Sequence, residues 1–149
     1  MNKVLFYGGS WYSFSNFSAF AVYWRGARWM TSEHAYQAAK FEDPEIIGMI
    51  QMATSAHEAK QIAKANKEHT RPNWHQVNLG IMREIVRAKL YQHAYIQKKL
   101  LETGDMEIIE DSPYDAFWAR GPNGDGQNNL GKIWMELRAE LREKAKRQP

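Results

Sequence analysis

Helix signals run almost unbroken between residues 31 and 93, and this confines any strand to the flanks of that stretch. Thr31 or Ser32 can cap a helix through SEHAYQAAK. Asp43-Pro44 opens a second helix through Ile46, Ile47 and Ile50, with Pro at its first position. Ser55 and Glu58 have capping-box spacing ahead of HEAKQIAKAN. After the break at Arg71-Pro72-Asn73, the period predicts a long helix over 74–93, with Val77, Ile81, Ile85 and Ala88 on its apolar stripe. A short helix through Ile96, Leu100 and Leu101 ends near Gly104. A closing helix covers about 130–146, capped by Asn128 or Asn129.

Strands find room only outside this block. Residues 4–7 read as a short strand stopped by Gly8 and Gly9. Residues 11–18, WYSFSNFS, read as a loop, and 21–24 with 27–30 form a hairpin around Arg25-Gly26. Residues 106–109 are a candidate strand, followed by a long loop over 111–129 rich in Gly, Pro and Asn. Loops of that length in compact domains are often functional. No linker, repeat or low-complexity stretch divides the chain. The expectation is one compact α+β domain over 1–149, dominated by helices, with a small β element near the N-terminus.

Composition narrows the chemistry. The absence of cysteine excludes disulfides, thiolate catalysis and thiolate zinc sites. The five histidines have no metal-ligand spacing, so no metal or other cofactor is expected. The N-terminus lacks a signal-peptide core and no run is long enough to span a membrane, which points to a soluble cytoplasmic protein. A net charge of +3 does not demand a nucleic-acid partner, and the alternating charges of the tail suit a solvated helix face. Six Trp and seven Tyr are many for so short a chain; most of these rings should pack the core, and some are candidates for lining a site.

Two segments could carry a reaction. In SEHAYQAAKF, Glu33 and Lys40 stand seven positions apart and share a helix face, with Tyr36 and Gln37 between them. The row is either an exposed ion-pair ladder or a reactive set. As part of a reactive set, Glu33 could orient water or stabilise a sugar cation. Lys40 could hold phosphate, pair with Glu33, or attack an anomeric carbon. In SPYDAFWARGPNGDGQNNLGK, the rings around Asp115 would desolvate its carboxyl and favour a proton that a leaving nitrogen could take. The alternative is a turn-capping Asp. Gly121, Gly124 and Gly126 precede a helix whose free N–H groups could hold a phosphate. Ser15, Asn16 and Phe17 offer a hydroxyl, an amide and a ring, and Trp29, Trp74 and Trp118 are further stacking candidates.

Taken together, FSNFS at 14–18, WMTSEHAYQAAKF at 29–41, RPNWHQVNLGIMREIVRAKL at 71–90 and SPYDAFWARGPNGDGQNNLGKIWMELR at 112–138 resemble the NADAR family of YbiA-like N-glycosidases. The resemblance covers nearly the whole chain. It implies a mostly helical fold and metal-free hydrolysis of N-glycosidic bonds. One branch is similar to enzymes that split phosphorylated ribosylaminouracil intermediates of riboflavin synthesis; another resembles hydrolases that remove ADP-ribose from guanine. By position, the family's helix Glu and Lys match Glu33 and Lys40, and its D-x-x-W pair matches Asp115 and Trp118. Its G-x-N-x-L-G run matches Gly126, Asn128, Leu130 and Gly131, and the following Arg matches Arg138. Ala119 stands where the family usually has Gly, and Trp134 where Leu is more usual.

The resulting expectation is an N-glycoside hydrolase that cleaves the ribose C1–N bond of a phosphorylated ribosyl substrate. Its catalytic residues would be Glu33, Lys40 and Asp115. Ser15, Asn16, Phe17, Trp74, Trp118, Gly126, Asn128 and Arg138 would bind substrate. The partner would be a small phosphorylated riboside or ADP-ribosylated guanine, the latter also within nucleic acid. The rival readings are a module that binds NAD or ADP-ribose without cutting it, and a nucleic-acid surface protein built on the basic tail.

Overall fold

The structure is a computed structural model and describes residues 2–147. The helices expected between residues 31 and 93 all form. α1 (Ser32–Ala38) starts where Thr31 Oγ1 accepts the His34 N–H. α2 (Pro44–Gln51) is capped by Asp43, which accepts from Glu45 N. α3 (Ala56–Ala65) is capped by Ser55, whose Oγ accepts from Glu58 N. The Glu58 carboxylate reaches back one residue further than a capping box needs, to Thr54 N at 3.0 Å. α4 (Trp74–Gln92) follows the Arg71-Pro72-Asn73 break. α5 (Ala94–Glu102) and α6 (Asn129–Arg147) complete the set.

Packing groups these elements into two compact units. One contains the segment ending at Ser15 and the segment starting at His93; the other is Asn16–Gln92. In the first unit, β1 (Lys3–Phe6) pairs in parallel with β4 (Glu107–Glu110), with Val4 opposite Ile108 and Phe6 opposite Glu110. The strand expected near 106–109 thus joins the N-terminal strand. Val4, Phe6 and Ile108 are fully buried. Residues expected as part of a loop instead form a 3-10 turn, Gly9–Phe14. Phe14 anchors it: its ring lies 6.0 Å from Phe6 and 4.9 Å from Trp134, and its carbonyl accepts from Trp134 Nε1 at 3.1 Å.

The second unit carries the expected hairpin, β2 (Val22–Trp24) antiparallel to β3 (Ala27–Trp29), turned at Arg25-Gly26. Both turn residues have positive φ, 49° and 79°, a conformation that glycine adopts without steric penalty. α4 packs against β2, and α1 packs against α2, α3 and α4. The buried face of α4 differs from the expected stripe. Val77 and Ala88 are only half-buried, whereas Asn78, Met82, Val86, Lys89 and Leu90 are buried beside Ile81 and Ile85. Lys89 is the surprise, a lysine with no exposed surface.

Candidate active site

The second unit holds the Glu33, Gln37 and Lys40 row. Every residue of α1 is buried, which rules out the exposed ion-pair ladder. Glu33 is 7% exposed and Gln37 3%. Glu33 Oε2 accepts from Gln37 Nε2 at 2.6 Å. The reverse amide orientation would oppose two acceptors at that distance, so the nitrogen belongs on the Glu33 side. Gln37 Oε1 is then left buried without a hydrogen-bond partner. His34 is tied down on both ring nitrogens, by Thr31 Oγ1 at 2.8 Å and the Ala53 carbonyl at 3.0 Å, so it serves packing.

Lys40 follows just past the end of α1. Its backbone N–H donates to the Gln37 carbonyl, and its own carbonyl accepts from Arg71 N at 2.8 Å. Its ammonium lies 5.6 Å from the Tyr36 ring centroid, and Tyr36 in turn packs on Trp74 at 5.1 Å. This apolar seat lowers the Lys40 pKa by desolvation, the largest influence. Glu33 pushes it back up and Lys60 pushes it down again, and the net shift is downward. A lysine of lowered pKa presents more neutral, nucleophilic amine near neutrality.

Asn16 fixes the start of the row. Its carbonyl accepts Glu33 N at 3.1 Å, and its Oδ1 accepts from Ser32 Oγ at 2.9 Å. Its Nδ2 donates to Met82 Sδ at 3.4 Å. Asn16 therefore positions Glu33 through the backbone. Phe17 is half-buried in the same loop. Trp74 is 6% exposed and packed on Tyr36, so it seats Lys40 and does not offer an open stacking face.

The residues assigned in the first unit have structural occupations. Asp115 Oδ1 accepts from both Phe117 N and Trp118 N at 2.8 Å, which is the turn-capping alternative. Trp118 is half-buried and meets Phe117 edge-on. Ser15 is buried and its N–H closes the 3-10 turn onto the Tyr12 carbonyl. The glycine loop corrects the phosphate expectation. Its N–H groups bond inward: Gly126 to the Arg120 carbonyl, Gln127 to Ala116, Asn128 to Ala119, Asn129 to Phe117 and Leu130 to Trp118. A Cβ on Gly126 would stand 2.5 Å from the Ala119 carbonyl oxygen, so the close approach there is to the chain's own backbone. Asn128 donates to the Ile108 carbonyl and accepts from Glu110 N, clamping β4. Arg138 is 7% exposed and donates to Thr103 Oγ1 and the Met106 carbonyl. An Arg and an Asn that complete backbone bonding look identical in sequence to phosphate ligands.

Two residues named from the sequence have contacts that it did not assign. Gln37 was placed on the face between Glu33 and Lys40, and its one-turn spacing from Glu33 makes the pair. Ser32 was a candidate cap; it instead bonds Asn16 in a loop sixteen positions back, a contact with no local signal.

The NADAR domain model matches residues 5–142. This chain belongs to the NADAR domain family. Among similar proteins, an N-glycosidase of Nostoc punctiforme is 42% identical over 132 residues, covering 87% of this chain and 85% of that one. N-glycosidase YbiA of Escherichia coli is 38% identical over 128 residues, covering 86% and 80%. A riboflavin biosynthesis protein of Vibrio vulnificus is 38% identical over 131 residues, covering 88% of this chain and 36% of that one. The solution NMR structure of E. coli YbiA superposes with a TM-score of 0.89 at 33% identity, covering 100% of this chain and 91% of that one. By its kinship with these relatives this NADAR protein is an enzyme, an N-glycosidase. Among the described residues no helix is long and apolar enough to cross a membrane.

Proposed function

We propose that this N-glycosidase hydrolyses the C1–N bond of a phosphorylated ribosyl amine, such as the ribosylaminouracil phosphates of riboflavin synthesis, and that Glu33 and Lys40 carry the reaction. The observation behind this reading is the buried Glu33–Gln37 pair with a half-buried Lys40 just past it, whose amine desolvation holds below the ordinary range. A module that only stacks a nucleotide needs no buried carboxylate beside a desolvated amine. The riboflavin biosynthesis proteins among the relatives, from Vibrio vulnificus and Zea mays, favour the ribosylaminouracil class over ADP-ribosylated guanine.

In this reading the neutral Lys40 amine attacks C1 as the C1–N electron pair leaves with the base. Glu33 takes the proton released from the attacking nitrogen and stabilises the positive charge that builds on the sugar. That proton passes to the departing nitrogen. The Lys40 nitrogen lone pair then expels the ring oxygen, which takes a proton from water, and an iminium is left between C1 and Lys40. Water adds to it, frees the ribose phosphate and restores the amine. Asp115 has no part in these steps, because its carboxylate holds its own turn.

A base-release assay run side by side on ribosylaminouracil phosphate and ADP-ribosylated guanosine tests the substrate class. Release from the first alone is the expected result; release only from the second moves the enzyme to the other branch. Borohydride added during turnover should fix a ribosyl phosphate adduct on Lys40, detected by mass. Full turnover with no adduct returns Lys40 to an electrostatic role. Glu33→Gln should lower turnover by about two or more orders of magnitude, and full activity in that variant removes Glu33 from the mechanism.

A further inference from the structure

Lys89 has no exposed surface, and its Nζ donates to Ser18 Oγ at 2.9 Å while lying 5.6 Å from the Phe20 ring. Burying an ammonium is costly, and a hydrophobic side chain of similar volume in such a place is often neutral or stabilising. Desolvation pushes its pKa down to about 7. A residue held against that penalty calls for a reason beyond filling space, and the contacts around it supply one.

Lys89 and Met82 stand seven positions apart on one buried face of α4. Both grip the same short loop: Met82 accepts from Asn16 Nδ2, and Lys89 donates to Ser18 Oγ. The loop passes that grip to the first turn of α1. The Asn16 carbonyl receives Glu33 N and its Oδ1 receives Ser32 Oγ. Phe17 sits between the two anchor points.

We propose that Lys89 is a positioning residue for the reaction: through Ser18 it fixes the Asn16–Ser18 loop against α4 and thereby sets the register of Glu33. The proposal rests on the reading of Glu33 as catalytic, and two independent measurements separate the two claims.

Lys89→Met keeps an unbranched stem and removes the ammonium. Its melting temperature should equal or exceed that of the wild type. Amide hydrogen exchange at Glu33 should quicken by about tenfold or more, while exchange in the centre of α4 stays unchanged. The kcat should fall by about tenfold with a smaller change in KM, as expected when a group acting in the transition state is displaced. Ser18→Ala, which leaves Lys89 in place, should reproduce both effects, and combining the two changes should add little further. Wild-type exchange at Glu33 in both variants overturns the positioning role. So does a Lys89→Met protein that loses stability and opens α4 as a whole, since the lysine is then only structural. Faster exchange at Glu33 with undiminished kcat leaves the tether intact and refutes instead the catalytic reading of Glu33.

Discussion

Glu33 Oε2 and Gln37 Nε2 meet at 2.6 Å one turn apart on a helix with no exposed residue. A carboxylate held this way keeps one orientation, which matters for a group that must face a developing cation. The price is Gln37 Oε1, buried and unpartnered, which by itself costs roughly 1–3 kcal/mol. Gln37→Leu removes the orphan acceptor, which stabilises, and strips the buried Glu33 carboxylate of a donor, which costs about as much, so stability should stay nearly unchanged. The kcat should drop by about tenfold through loss of orientation. Thermal melts beside steady-state kinetics check both halves. A wild-type kcat would mean that Glu33 needs no such support.

The charges around Lys40 predict the direction of two shifts in the pH–rate profile. Neutral Lys40 is the reactive form in the proposed mechanism, so its pKa sets the acid limb of kcat/KM. Lys60 lowers that pKa, and its removal in Lys60→Gln should move the limb to higher pH. Glu33 raises it, so Glu33→Gln should move the limb to lower pH while reducing the maximum rate. Profiles of the three proteins are sufficient. A common limb would assign that titration to another group.

Lys89 also makes a prediction about stability. Its folded pKa, about 7, lies below the unfolded value of 10.5. Between these values the unfolded chain holds the proton more firmly, so stability rises with pH across that window. Below the lower value both states are protonated and the burial penalty is felt in full. Lys89→Met should be more stable than the wild type near neutrality, and the difference should shrink toward pH 10. Melting temperatures measured at intervals over pH 6–10 read this directly. A constant difference would count against the lowered pKa.

Gly131 lies inside α6, where Ala would ordinarily help by about 1 kcal/mol. Here a Cβ would fall 2.2 Å from the Ile108 carbonyl oxygen and 2.4 Å from the Asn128 amide. Gly131→Ala should therefore reverse the usual sign and destabilise by roughly 2–4 kcal/mol, measured by denaturant unfolding. The displaced group would be the Asn128 clamp on β4.

The fold was readable where local chemistry decides it. Caps at Thr31, Asp43 and Ser55, the Pro at 44 and the Arg25-Gly26 turn all act within a few residues, and all stand where the sequence placed them. The pairing of β1 with β4 was not readable, because the partners are about a hundred positions apart and parallel strands leave no turn signature. The same division holds at the candidate site. The shared face of Glu33 and Gln37 follows from helix geometry alone, whereas Lys40, expected on the same helix, lies past the end of α1. That this face is buried follows from the packing of α1 against α2, α3 and α4. Asn128 and Arg138 show the converse: polar side chains in a recognisable motif turned out to complete backbone hydrogen bonds that only the folded chain reveals.

The β1–β4 ladder carries a consequence for how the polypeptide comes off the ribosome. Lys3 is made well before its partner Glu107, which emerges only after the whole Asn16–Gln92 unit has been translated. The hairpin and the first four helices can close while the leading strand still waits with its backbone groups facing water. A stalled or truncated message ending before β4 leaves that strand without a neighbour and Val4 and Phe6 without the cover they have in the finished fold. Such fragments should gather through that unpaired strand, whereas fragments that begin at Asn16 should stay dispersed.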